Sequence, residues 1–363
     1  MKIQSASARL YRVPLAQPVS DAAHGIQTHF ELIAVRVTDE DGVQGLGLTY
    51  TGGSGGLAIV SALEGGLLES LVGKDADLIE LCWRDMWRAM HYVGQGGVVS
   101  FAISAIDVAL WDIKGKRAQM PLWRLLGGHD GHVRCYAGGI DLNFSIEELL
   151  AQSEAFRENG FRAIKMKVGR PSLREDIERI EAMREELGEQ FPLMVDANMA
   201  WSRMNALRAA KAFNPYGLTW LEEPVEPRDY ASHASIAECG LVPIAAGENL
   251  RNFSEFKQLI DTGRIGYAEP DVTNCGGVTG FAKIARYAES HSAITTSHGL
   301  HDLSIHLLAA FPGTDFLEVH GYSLDAFLSR PLRIVDGYAE APNTSGHGIE
   351  LDWQKLERHA VQG

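Results

Sequence analysis

Three acids, Asp196, Glu222 and Glu248, stand 26 residues apart, each at the carboxyl end of a short apolar run. Ahead of them, Phe161-Arg-Ala-Ile-Lys-Met-Lys-Val-Gly169 sets two lysines inside an apolar stretch. β-Branched Ile164 and Val168 favour an extended strand. Alternation then puts Lys165 and Lys167 on one face and Ile164, Met166 and Val168 on the other. Two ammonium groups are expensive to bury, so the stretch by itself also reads as an edge strand with a wet face. Further on, Asp271, His298 and Glu318 end apolar runs in the same way. An aspartate one strand before a histidine can orient the imidazole and keep it basic, which pairs Asp271 with His298. His301 and His306 follow closely, show no partner, and read as helix residues.

The elements that must position these groups alternate. From residue 133 onward, apolar runs at 136–142, 161–169, 191–196, 218–222, 244–248, 265–271, 293–298 and 315–318 are mostly separated by helical stretches, such as 173–187 and 203–213. Strand–helix alternation means parallel strands with crossover helices, and this many units point to a closed βα barrel. The eighth run is followed by no amphipathic helix, so the last unit is irregular. Strand ends converge on one face of such a barrel, where active sites sit. Any single acid there could be a helix N-cap. Three in register repel one another, and a hard divalent cation resolves the repulsion; all-oxygen ligation suits Mg²⁺.

The first third is different. Segments 30–39 and 43–50, joined by Asp39-Glu-Asp-Gly42, read as an antiparallel hairpin. Residues 14–29 and the glycine-rich 50–56 read as loops, either plain connectors or lids over a site. Helices are expected at 57–71, 78–91 and 100–117, the last with Ser100 as N-cap. A domain boundary is placed near residue 128. The chain of 363 residues carries a net charge of −14, which argues against nucleic acid as a partner. Its four cysteines form no CxxC pair and fit a reducing cytoplasm. No apolar run is long enough to span a membrane.

Lys165-Met-Lys167, Asp196-Ala-Asn198, Trp220-Leu-Glu222-Glu-Pro224, Gly247-Glu248-Asn249, Pro270-Asp271, Ser297-His298 and Leu317-Glu318 occur in one order and spacing. With them the whole chain resembles the enolase superfamily and its mandelate racemase subgroup. The resemblance implies an α/β fold: a modified (βα)7β TIM-type barrel over 129–321, with an α+β capping domain from 1–128 and the tail 322–363. It implies one Mg²⁺ held by Asp196, Glu222 and Glu248. Lys167 and His298, the latter supported by Asp271, would be the acid–base pair. Lys165 would contact the substrate carboxylate, and a protonated Glu318 would hydrogen-bond it from the other side. Lys165 and the cation are expected to lower the pKa of Lys167. Asn198 would sit by the metal, with His24 and Tyr50 as further substrate contacts.

Ser20-Asp-Ala-Ala-His-Gly25, Tyr50-Thr-Gly-Gly53 and His91-Tyr-Val-Gly-Gln-Gly-Gly97 are similar to galactarolactone cycloisomerases and galactarate-type dehydratases. The expected activity is therefore abstraction of the proton α to a carboxylate of a sugar acid, an aldarate, aldonate or lactone. The enediolate would then undergo β-elimination, as in a dehydratase or lactone cycloisomerase. The alternative is a racemase or epimerase of a 2-hydroxy acid. A Schiff-base aldolase barrel would not need the three acids, and a non-catalytic binding protein would not need both lysines with the His298–Asp271 pair. A small-molecule carboxylate and a second copy of the chain, in a homo-oligomer, are the expected partners.

Overall fold

A computed structural model describes residues 1–361. Three antiparallel strands open the chain: β1 (Ile3–Asp21), β2 (Gly25–Asp39) and β3 (Gln44–Thr51), in that spatial order. The helix Gly97–Ala118 packs its apolar surface on this sheet. Close approach is the reason for two strand glycines. A Cβ on Gly45 would lie 2.1 Å from the Ala109 carbonyl oxygen, and one on Gly47 1.7 Å from that of Ala105.

Eight parallel strands follow: β4 (His132–Gly138), β5 (Ile164–Lys167), β6 (Leu193–Asp196), β7 (Leu221–Glu222), β8 (Ile244–Ala246), β9 (Tyr267–Ala268), β10 (Ile294–Thr295) and β11 (Leu317–His320). Spatial neighbours run β10-β9-β8-β7-β6-β5-β4-β11. A parallel bridge from Thr295 to Thr314, just before β11, draws the two ends together. Helices lie between successive strands, but only a short 3-10 turn, Asp325–Phe327, follows β11 before the antiparallel β12 (Tyr338–Glu340) pairs with β4. The fold is thus the expected barrel with its last helix missing, covered by an antiparallel sheet. Local signals agree with this. Ser145 and Glu148 form a reciprocal capping box at the start of Ile146–Glu158. Under the site the barrel interior is filled by Tyr136, Met194, Trp220 and Phe316.

The covering layer is tied to the barrel close to His298. Ser104 Oγ accepts from the Gly276 and Gly277 amides, and Asp107 accepts from Thr279. Both lie on Gly97–Ala118, so this helix supplies the polar partners for the start of the barrel helix Gly277–Ser290. Thr49 Oγ1 donates to the Thr273 carbonyl at 2.7 Å.

Three expectations need correction, and one alternative is excluded. Residues 14–29 are not a loop: β1 and β2 run through them, and only 22–24 turn. Pro14 and Pro18 mislead because β1 is an edge strand whose register shifts between Pro14 and Val19, where a missing N–H costs nothing. The helix at 57–71 breaks after Ala62, because Gly65 and Gly66 leave helical backbone. Ser100 lies inside Gly97–Ala118 rather than capping it, since glycines at 96 and 97 start the helix earlier. The lysine strand is interior, paired on both sides, not an edge.

Candidate active site

Register aligns the charged groups before any side chain is considered. Lys167 lies beside Asp196, and Asp196 beside Glu222, across β5, β6 and β7. Glu248 comes just after β8, and Asp271 and His298 bridge to each other after β9 and β10. Oxygens of Asp196, Glu222 and Glu248 all lie within 4.8 Å of one another, in buried positions. Two strands, β4 and β11, separate β5 from β10 on one side, and four on the other. Lys167 and His298 therefore face each other across the barrel mouth, with the acids along the longer arc.

The floor is a network of buried charge. Lys165 Nζ contacts Glu222 Oε1 at 2.5 Å and Glu318 Oε1 at 2.8 Å. Lys167 Nζ contacts Asp196 Oδ2 at 2.5 Å. Trp220 Nε1 donates to the other Glu222 oxygen at 2.9 Å, which fixes that carboxylate from below. His298 Nε2 is 3.0 Å from Glu248, and Nδ1 is 3.0 Å from Asp271. Tyr50 Oη reaches Asp271 at 3.3 Å.

Electrostatics follows from these contacts. Burial works against a charged His298, but Glu248 and Asp271 outweigh it and hold the ring well above the usual histidine range. Burial likewise opposes charge on Lys167, yet Asp196 raises its pKa despite Lys165. Among the protein's own charges the nearer carboxylate outweighs the ammonium two residues away; the lowering expected for Lys167 is that of Lys165 acting together with the cation. The expected protonation of Glu318 is reversed. Burial would push it up, but Lys165 and the neighbouring imidazoles hold it down at about 2. Glu269, by contrast, is buried with both oxygens unpartnered among the described residues, and burial pushes its pKa well up.

A cavity of about 280 Å³ opens above this floor. Lys167, Asn198, Glu248, His298 and Glu318 line it, and so do His24 from the turn between β1 and β2 and Tyr50 from β3. Lys165, Asp196, Glu222 and Asp271 sit behind the lining. His24 is half exposed and paired with Asp21 at 3.0 Å. Tyr50 is buried and serves the His298–Asp271 pair as much as the cavity. The donor set suits a hard cation: three buried carboxylates, plus Asn198 Oδ1, which has no partner among the described residues. Asn198 (φ 40°) and Glu223 (φ 36°), each close behind a strand-end acid, adopt left-handed backbone, a strain typical of functional sites.

Sequence reasoning missed several lining groups. Gln27, Arg251, His320 and Tyr322 reach the cavity. Only His320 carried a usable signal: it is two residues past Glu318 and so on the same strand face. His301 and His306 do lie on a helix, His301–Ala310, but they have partners. His301 lies 3.5 Å from both Asp302 and Asp325, and His306 Nε2 is 2.9 Å from the His347 carbonyl.

Residues 5–127 match the mandelate racemase / muconate lactonizing enzyme N-terminal domain, and residues 148–355 the enolase C-terminal domain-like family. The chain is 48% identical over 352 residues to a 3,6-anhydro-alpha-L-galactonate cycloisomerase of Streptomyces coelicolor, covering 97% of this chain and 98% of that one. It is 38% identical to the L-talarate/galactarate dehydratase of Salmonella typhimurium, covering 94% and 87%. Among solved structures, a Streptomyces coelicolor racemase with bound magnesium superposes with a TM-score of 0.97 at 47% identity, covering 99% and 100%. An L-talarate dehydratase from a Polaromonas species, complexed with Mg and L-glucarate, gives 0.94 at 34% identity, covering 99% and 98%.

Proposed function

Since the chain belongs to the mandelate racemase/muconate lactonizing enzyme family of the enolase superfamily, we propose that it removes the proton α to the carboxylate of a sugar acid and then eliminates the oxygen on the β-carbon. The observation that carries this reading is the placement of Lys167 and His298 across one cavity from each other, with three carboxylates on the arc between. Asp196, Glu222 and Glu248 would hold Mg²⁺, with Asn198 beside them. When bound, Mg²⁺ supplies positive charge for the carboxylate oxygens as the enediolate forms.

The protein's own groups do the rest. Lys165 and Glu318 flank the carboxylate end of the site. Lys167 or His298, depending on configuration at the α-carbon, takes the proton, and the other returns one. Asp271 fixes the His298 ring through Nδ1, leaving Nε2 toward the reacting carbon.

The 48%-identical relative favours an anhydro acid as substrate. In a 3,6-anhydro acid the oxygen on C3 is a ring ether. Elimination opens the ring and expels nothing, so the net change is isomerisation. In galactarate the same step would release water. The reading includes a cytoplasmic homo-oligomer; four free cysteines, three of them buried, fit a reducing compartment, and exposed Ile26, Tyr92 and Val93 offer apolar surface for self-association. The test is turnover of 3,6-anhydro-α-L-galactonate and galactarate with Mg²⁺, read as keto-acid formation. Formation that stops on chelation supports the proposal; no keto acid from any of a panel of acid sugars overturns it.

A further inference from the structure

Two residues beyond Glu318 on β11 lies His320, 8% exposed and part of the cavity wall. Strand alternation puts it on the same face as Glu318, one layer nearer the covering sheet. Lys167 stands in the same relation to Lys165. The Lys165–Glu318 pair at 2.8 Å therefore marks a lower layer, and Lys167 with His320 an upper one. The Tyr322 amide donates to His320 Nδ1 at 3.0 Å. That nitrogen accepts, so the neutral ring carries its proton on Nε2. Burial pushes the ring's pKa down to about 4, in keeping with a neutral imidazole. Nε2 has no hydrogen-bond partner among the described residues. Glu318 Oε2, at 3.8 Å, is beyond hydrogen-bond reach. Nε2 is thus a buried donor without a partner on a ring that forms part of the cavity wall, and such a donor is satisfied by a ligand acceptor that enters the cavity beside it.

We propose that His320 Nε2–H donates to the oxygen on C3 that departs in the elimination, and so selects acids with a β-oxygen. The proposal rests on the function proposed above. With the carboxylate in the lower layer and C2 between Lys167 and His298, C3 and its oxygen fall in the upper layer. There His320 stands beside His298, with ring centroids 5.5 Å apart. In the step itself, the C1–C2 π pair of the enediolate becomes the C2–C3 double bond. The C3–O bond breaks with its pair on oxygen, and that oxygen takes a proton from Lys167 or His298. His320 keeps its own proton and shares it in a hydrogen bond as charge builds on the oxygen. Such a donor, aimed where charge develops, acts mainly on the transition state.

The test uses two variants of the whole enzyme with Mg²⁺ and 3,6-anhydro-α-L-galactonate in D2O. His320→Asn keeps an acceptor for the Tyr322 amide but removes the Nε2 donor. His320→Gln keeps a donor near the Nε2 position. The expected result for His320→Asn is elimination slower by about 10²–10³-fold, with deuterium still entering C2 of recovered substrate; His320→Gln restores much of the elimination. Exchange and elimination falling together in His320→Asn, or elimination unchanged, overturns the role of His320. Wild-type enzyme that exchanges the C2 proton without ever eliminating overturns the proposed function instead.

Discussion

Lys165 Nζ stands 2.8 Å from Glu318 Oε1, and the same ammonium lies 2.5 Å from Glu222 and 3.7 Å from Asp196. One buried cation thus serves three carboxylates from three different strands. Without it those buried acids would face one another with no compensating charge from this strand.

Replacing Lys165 with Met should therefore destabilise the metal-free protein by about 3–5 kcal/mol, the cost of breaking a buried ion pair. Urea unfolding measures this. Added Mg²⁺ should recover part of the loss, since a cation among the same acids replaces the missing charge. An unchanged midpoint would remove Lys165 from the network.

Metal binding should raise stability by mass action. At Mg²⁺ concentrations about a hundredfold above Kd, the gain is about 2.7 kcal/mol. Glu222→Gln should abolish most of this gain while leaving the Trp220 hydrogen bond a possible acceptor. Thermal melts with and without Mg²⁺ read the difference; an equal shift in the variant would take Glu222 out of the ligand set.

Asp271 holds His298 through Nδ1, so Asp271→Asn should lower kcat by about 10²–10⁴-fold with little change in Mg²⁺ affinity. Steady-state kinetics and Mg²⁺ titration check both halves. A loss confined to metal affinity would contradict the positioning role.

These predictions divide along what the sequence made legible. Acids at strand ends, spaced 26 residues apart, were readable because a βα unit repeats its length and ends each strand at the same barrel face. The ionisation of Glu318 was not, because it depends on Lys165, 153 positions earlier, reaching it across β4. His306 showed no partner because the acceptor belongs to His347, in the tail. Pro14 and Pro18 signalled a loop because sequence does not tell an edge strand from a turn. These three come from a contact between distant segments or from a sheet position, neither of which local pattern encodes, whereas the break at Gly65–Gly66 and the helix start at Gly97 rest on glycines that the sequence does display.

His306 also supplies a pH prediction. Burial holds its folded pKa at about 4, below the ordinary histidine value of about 6.5. The unfolded chain then binds the proton more readily between these values, so stability contributed by the neutral ring is present above 6.5 and lost as pH falls toward 4. The slope for one such group is about 1.4 kcal/mol per pH unit. His306→Gln should flatten the acid limb of the stability curve by that amount over this window. Urea midpoints at pH 7 and 5 decide it; parallel curves would show that His306 protonates alike in both states.

The turn at 22–24 and the bends at 52–54 flank the cavity through His24 and Gly52. Limited proteolysis there should slow when the acid substrate is bound. Equal cleavage in both states would exclude closure over the site.

α-Proton abstraction followed by β-elimination is tested most directly by following the substrate in deuterated solvent. Wild-type enzyme, Mg²⁺ and 3,6-anhydro-α-L-galactonate are combined in D2O and followed by NMR. The expected product is a 3-deoxy-2-keto acid carrying one deuterium on C3, placed there when the enol takes a deuteron from solvent. Recovered acid inverted at C2 with deuterium on that carbon, and no keto acid, would contradict elimination and establish a racemase instead.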